Sequence, residues 1–135
     1  NDFLRMPSDT DNINSHSWNQ FVIRLENNNY DLNKNYLELF ETDYKKNNTL
    51  RNLLKFQLSA KGINSIIYYP IPIHAQIAYE NENYNRKALL NTEKVCTEVL
   101  SLPMFPEITY EEQIYITNNI NSILESNIKE VQISA

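Results

Sequence analysis

A single glycine, Gly62, occurs among the 135 residues of this chain. Phosphate-cradling loops of the GxGxxG or GxxxxGK kind need several residues without a Cβ, so that the backbone can approach the phosphates. One glycine excludes both. The same residue marks the end of a helix. Asn48 is placed to cap a helix whose Leu50, Leu53, Leu54 and Leu58 form one apolar stripe. Gly62, directly after Lys61, stands where a left-handed residue closes the helix C-terminus.

The other elements follow from periodicity and punctuation. Residues 1–15 are polar and aperiodic, a lead-in segment containing Pro7. SWNQFVIRL (17–25) alternates as a strand, with Phe21, Ile23 and Leu25 on one side and Val22 and Arg24 on the other. ENNNYDLNKN breaks it, and its Asn tract at 27–29 is the one low-complexity stretch. YLELFETDY (36–44) spaces Tyr36, Phe40 and Tyr44 at i, i+4 and i+8 and predicts a short helix. NSIIYY (64–69) predicts a second strand, ended by Pro70 and Pro72, which cannot donate to a ladder. Residues 74–79 predict a helical turn. Arg86–Glu98 predicts a helix with Ala88, Leu89, Thr92, Val95 and Val99 inward. VLSLPM (99–104) is a third strand, stopped by Pro103 and Pro106. Thr109-Tyr110-Glu111-Glu112 is a capping box opening a last helix through Ile116, Ile120, Ile123 and Leu124. The expected fold is α/β (α+β): one small antiparallel or mixed three-stranded sheet with helices packed on it.

Composition removes several functions. A formal charge of -5 argues against nucleic acid, whose binders cluster Lys and Arg. Lys45, Lys46, Arg51 and Lys55 read as a solvated helix face. Cys96 is alone, which rules out an intrachain disulfide and a cysteine metal site and suits a reducing, cytoplasmic compartment. It reads as a packed core thiol. His16 and His74 sit in no HxH, HxxxH or HExxH arrangement, so no metal is expected. No serine lies in a GxSxG elbow. Glu111 and Glu112 are accounted for by the helix dipole, and Glu80 and Glu82 by a solvated turn. The long uncharged run from Gly62 to Tyr79 contains Pro70, Pro72, Asn64 and Gln76, so no membrane span is expected. The chain opens Asn1-Asp2-Phe3-Leu4-Arg5, without an initiator Met or a signal segment, and is expected to be a piece of a longer polypeptide.

The segment IIYYPIPIHAQIAY (66–79) leaves two readings open. Prolines fix the direction in which the chain leaves the strand, so Tyr68, Tyr69 and His74 can line an apolar pocket with hydrogen-bonding groups. Alternatively the tyrosines alternate between core and edge, and His74 bonds a backbone carbonyl.

Taken together, HSWNQFVIR (16–24), KGINSIIYYPIPIHAQIAY (61–79) and VLSLPMFPEITYEEQ (99–113) resemble the C-terminal portion of the DegT–StrS family. These are pyridoxal-phosphate-dependent aminotransferases that act on nucleotide-linked keto sugars. Three motifs in order, with Tyr69-Pro70-Ile71-Pro72-Ile73-His74 the most specific, span most of the chain. The resemblance implies the C-terminal small domain of a fold-type I aminotransferase, closing over an N-terminal large domain of the same polypeptide. That large domain would carry pyridoxal phosphate and the Schiff-base lysine, leaving no catalytic or cofactor-binding residue here. The whole enzyme would be a homodimer moving an amino group from glutamate or glutamine to a nucleotide-sugar substrate. By motif, the substrate-binding residues would be Trp18, Asn19, Tyr68, Tyr69 and His74. The alternative is a non-catalytic regulatory or binding module derived from the family. One departure stands out: where the family has a short link, about twenty residues (roughly 27–46) are inserted, and they are expected to be helical.

Overall fold

In the computed structural model, residues 3–7, 18–26, 31, 33–79 and 85–133 are described. The elements are β1 (Leu4–Arg5), β2 (Phe21–Leu25), α1 (Tyr36–Leu39), α2 (Leu50–Ala60), α3 (Leu90–Glu98), β3 (Val99–Leu102) and α4 (Tyr110–Ile133). The 3₁₀ turns Ile73–Ala75, Ile77–Tyr79 and Arg86–Leu89 lie between α2 and α3.

β2 is the middle strand of the sheet, and its alternation turns one face into the core. Ile23 and Leu25 are 0% and 1% exposed. It pairs antiparallel with β1, Leu4 opposite Leu25, and with β3, Phe21 opposite Leu102 and Ile23 opposite Leu100. Leu54 and Leu58 of α2 and Ile120, Ile123 and Leu124 of α4 close over that face, joined by Ile63 and Ile67. Apolar area removed from water on this scale supplies the main stabilisation of the fold. The three-stranded sheet under helices is the expected architecture, but one strand is exchanged. The lead-in supplies β1, whereas NSIIYY contributes a single bridge, Ile66 opposite Ser101, rather than a strand. Its two backbone bonds (2.8 and 3.0 Å) complete the pairing before the prolines, which have no N–H to extend it.

The ends of α2 show local chemistry at work. Thr49, one residue past the expected Asn48, is the N-cap, its hydroxyl accepting from Asn52 N. At the other end Gly62 takes φ +76°, Gly62 N bonds Ser59 O and Ile63 N bonds Leu58 O, both at 3.0 Å. Those two bonds form a Schellman closure and turn the chain toward residues 63–68.

Three further expectations are corrected. The 36–44 helix stops at Leu39. Tyr36 stacks on Phe40 as its spacing predicts, but Tyr44 stacks on Phe56 of α2 instead. The Glu41 carboxylate accepts from the backbone N–H of Thr42 and Asp43, and Asp43 accepts from Lys45 N, so side chains take the donors a helix would use. The inward face of α3 is also different. Ala88 and Thr92 are exposed and Leu89, Val95 and Val99 half-buried, while Glu93, Thr97 and Glu98 are buried. Each of these buried polar groups has a partner: Glu98 holds Arg24, Thr97 bonds Lys94 O, and Glu93 holds two side chains described below. Finally, Arg51 is not solvated. It is 1% exposed, donates from Nη1 to Cys96 O at 3.4 Å, and burial pushes its guanidinium down to about 10. Burial likewise pushes the half-buried Cys96 thiol up.

α4 begins as its sequence predicts. Glu112 N bonds Thr109 Oγ1 at 3.2 Å and Thr109 N bonds Glu112 Oε2 at 2.8 Å, a reciprocal capping box. His16, Glu80 and Glu82 and the Asn tract lie outside the described residues.

Candidate functional site

The turn at Gly62, the exit from β3 at Pro103 and the first turns of α4 leave a cleft of about 720 Å³ between them. Tyr115 of α4 donates to Lys61 O at 3.1 Å and fixes one wall against the helix end. The opposite walls come from the start of β2 and from the bridge at Ile66. Asn19, Gln20, Asn64, Tyr68 and Ser101 share this lining with Met104, Phe105 and Ile108. The Ser101 Oγ is buried and has no hydrogen-bond partner among the described residues. Glu112 is the charged member of the lining, and its carboxylate is occupied by Thr109. A surface of amides, hydroxyls and apolar groups, without Lys or Arg, suits a neutral polyhydroxyl or ring-shaped group and disfavours a phosphate.

Beside the cleft runs a strap from Tyr68 to His74. Tyr68 and Tyr69 are 40% and 73% exposed, their ring centroids 5.8 Å apart at 65°, and the peptide joining them is cis. Pro72 is buried and caps the turn that carries His74. The His74 side chain is only 7% exposed. Its Nε2 lies 3.0 Å from Glu93 Oε1, and its ring meets Tyr36 edge-on with centroids 6.1 Å apart. Tyr36 Oη donates to the same carboxylate oxygen at 3.2 Å. Glu93 itself is 0% exposed.

Of the residues singled out from sequence, Asn19 and Tyr68 are brought together in the cleft. Tyr69 stands exposed next to it in sequence. Trp18 is half-buried with its ring against Phe21, centroids 5.2 Å apart at 66°, where it supports the start of β2. His74 is not in the lining of the cleft; its imidazole is largely buried and faces the Glu93 carboxylate. Sequence reasoning missed Gln20, Asn64 and Ser101 in the lining, because isolated polar residues carry no spacing signal. It also missed Glu93, which in a helix rich in polar residues reads as solvated.

The residues present do not fit pyridoxal phosphate. That group needs an amine for its aldehyde and donors for its phosphate, and the cleft lining offers no lysine or arginine. Among the described residues, no group of three or more His, Cys, Asp or Glu is placed to hold a metal ion.

The sequence pattern described as the DegT/DnrJ/EryC1/StrS aminotransferase family matches residues 3–121. The chain is 40% identical over 70 residues to a pleiotropic regulatory protein of Geobacillus stearothermophilus, covering 52% of this chain and 19% of that one. It is 26% identical over 121 residues to the dTDP-3-amino-3,6-dideoxy-alpha-D-galactopyranose transaminase of Aneurinibacillus thermoaerophilus, covering 90% and 26%. A DegT DnrJ EryC1 StrS aminotransferase from Brucella abortus has the same fold, with a TM-score of 0.63 and 28% identity over 90% of this chain and 26% of that one. The chain thus spans about a fifth to a quarter of the length of these relatives.

Proposed function

The chain belongs to the DegT/DnrJ/EryC1/StrS aminotransferase family, and from that premise we propose that it is the C-terminal small domain of a sugar aminotransferase. The whole protein would move an amino group from glutamate or glutamine to a keto group of a nucleotide-linked sugar. Pyridoxal phosphate and its lysine would lie in an N-terminal large domain, since the residues here fit neither. When bound there, the cofactor supplies the electron sink for the transfer. This chain contributes a wall. Asn19 offers an amide that donates and accepts toward sugar hydroxyls, the ring faces of Tyr68 and Tyr69 pack against the sugar, and Trp18 holds the start of β2 so that Asn19 stays in place. Closing that wall over the substrate excludes water from the reacting centre. His74 serves the wall from behind. We take the whole protein to act as a homodimer in the cytoplasm, where the Cys96 thiol stays reduced.

One observation carries the reading: the DegT/DnrJ/EryC1/StrS aminotransferase family pattern spans residues 3–121, and the same fold recurs in an aminotransferase chain about three and a half times as long. The test is to express the complete polypeptide and supply glutamate with a nucleotide-linked keto sugar. The expected result is visible absorbance from bound pyridoxal phosphate, formation of 2-oxoglutarate and a product in which an amino group has replaced the keto oxygen. Asn19→Ala and Tyr68→Ala should each lower kcat/KM for the sugar by about tenfold and leave the reaction with glutamate alone unchanged. A complete protein that binds no pyridoxal phosphate would overturn the reading in favour of a regulatory module.

A further inference from the structure

The strap that carries Tyr68 and Tyr69 is pinned at both ends, and the two pins differ in kind. At the near end, Ile66 exchanges two backbone hydrogen bonds with Ser101, and Ile67 is 8% exposed within the core cluster. At the far end the pin is a side chain, His74 on Glu93. Between them Tyr68, Tyr69 and Ile71 are 40%, 73% and 39% exposed, while Pro70 is half-buried and Pro72 buried. Pro70 and Pro72 restrict φ and make this stretch stiff. A stiff segment held at two points transmits a shift of either point to what it carries.

Resting on the functional reading above, we infer that Glu93 and Tyr36 are positioning residues for the Tyr68–Tyr69 wall. They fix its far end through His74 and touch no substrate themselves. The carboxylate is fully buried and takes both the imidazole and the phenol on one oxygen, Oε1. In so dry a place a hydrogen bond to a carboxylate oxygen is strong, and its loss is costly. Tyr36 opens α1, in the segment of roughly 27–46 that is expected from the sequence to be an insertion. On that expectation the segment acquires a purpose. It braces the downstream tyrosine–proline motif by supplying the second donor to Glu93 and an aromatic edge against His74.

The test separates placement from stability. In the 135-residue chain with ¹³C-labelled tyrosine, Tyr36→Phe and Glu93→Ala should move and broaden the ring signals of Tyr68 and Tyr69. Glu93→Gln, which keeps an acceptor oxygen, should leave them near their native positions. In the complete enzyme, Tyr36→Phe and Glu93→Ala should raise KM for the nucleotide sugar by about tenfold, with the glutamate half of the reaction unchanged and most of the loss restored by Glu93→Gln. Should Glu93→Ala fail to fold, Tyr36→Phe, which removes one oxygen, decides alone. Unmoved ring signals, or a KM that stays put while the unfolding midpoint drops, overturns the inference. Absence of any transamination by the unaltered enzyme would instead sink the functional reading, and the ring signals would still judge the positioning.

Discussion

Arg51 shows what a single residue can cost a small domain. Its guanidinium is 1% exposed, Nη1 makes a 3.4 Å contact to Cys96 O, and Nε and Nη2 have no partner among the described residues. Desolvation is the leading cause of its lowered pKa, which falls to about 10. For a base lowered in the folded state, the folded chain binds fewer protons than the unfolded chain only above about pH 10. The penalty is therefore full and constant below that pH, and is relieved only as pH climbs beyond it. Replacing a buried charge by an apolar side chain of similar volume is commonly neutral or stabilising by ~1–4 kcal/mol. Arg51→Met is accordingly expected to raise the urea midpoint at neutral pH or leave it unchanged. A loss of more than ~2 kcal/mol would mean that the guanidinium serves an interaction worth more than its desolvation.

At the scale of elements, legibility followed locality. Gly62 and the Thr109–Glu112 box were readable because each is set by bonds within a few residues: the φ of +76° and the Schellman pair in one case, the reciprocal cap in the other. The Ile116, Ile120, Ile123, Leu124 stripe of α4 was readable for the same reason. The inward face of α3 was not, because Glu93 and Glu98 are buried by partners far along the chain, Tyr36, His74 and Arg24. The same holds for the site. Asn19 and Tyr68 could be named by motif, but the contact of His74 with a carboxylate 19 positions on could not. β1 escaped notice because two residues carry no periodicity. A local device also gives a clean test. Thr109→Ala removes the acceptor for Glu112 N and should cost ~1 kcal/mol in chemical denaturation, with fraying confined to the first turn of α4. An equal loss of amide protection along the whole helix would contradict a capping role.

For the molecule as a whole, the distribution of exposed apolar side chains is the feature that a solitary domain does not explain. Within Ile66–Tyr79, Tyr69, Ile73 and Ile77 are 73%, 67% and 82% exposed. Single exposed isoleucines are ordinary, but a run of them beside an exposed tyrosine pair marks a surface meant to be covered. Under the proposed function the cover is the remainder of the aminotransferase chain. If so, these side chains contribute nothing to the 135-residue chain alone and a good deal to the longer one. Ile73→Ser with Ile77→Ser should shift the stability of the shorter chain by no more than ~0.5 kcal/mol, the usual scale for surface changes. In the complete polypeptide the same pair should cost ~2 kcal/mol or more, the loss expected when buried isoleucines are truncated. Calorimetry of both chains reads the contrast directly. Equal effects in the two contexts would mean that this face stays in solvent throughout.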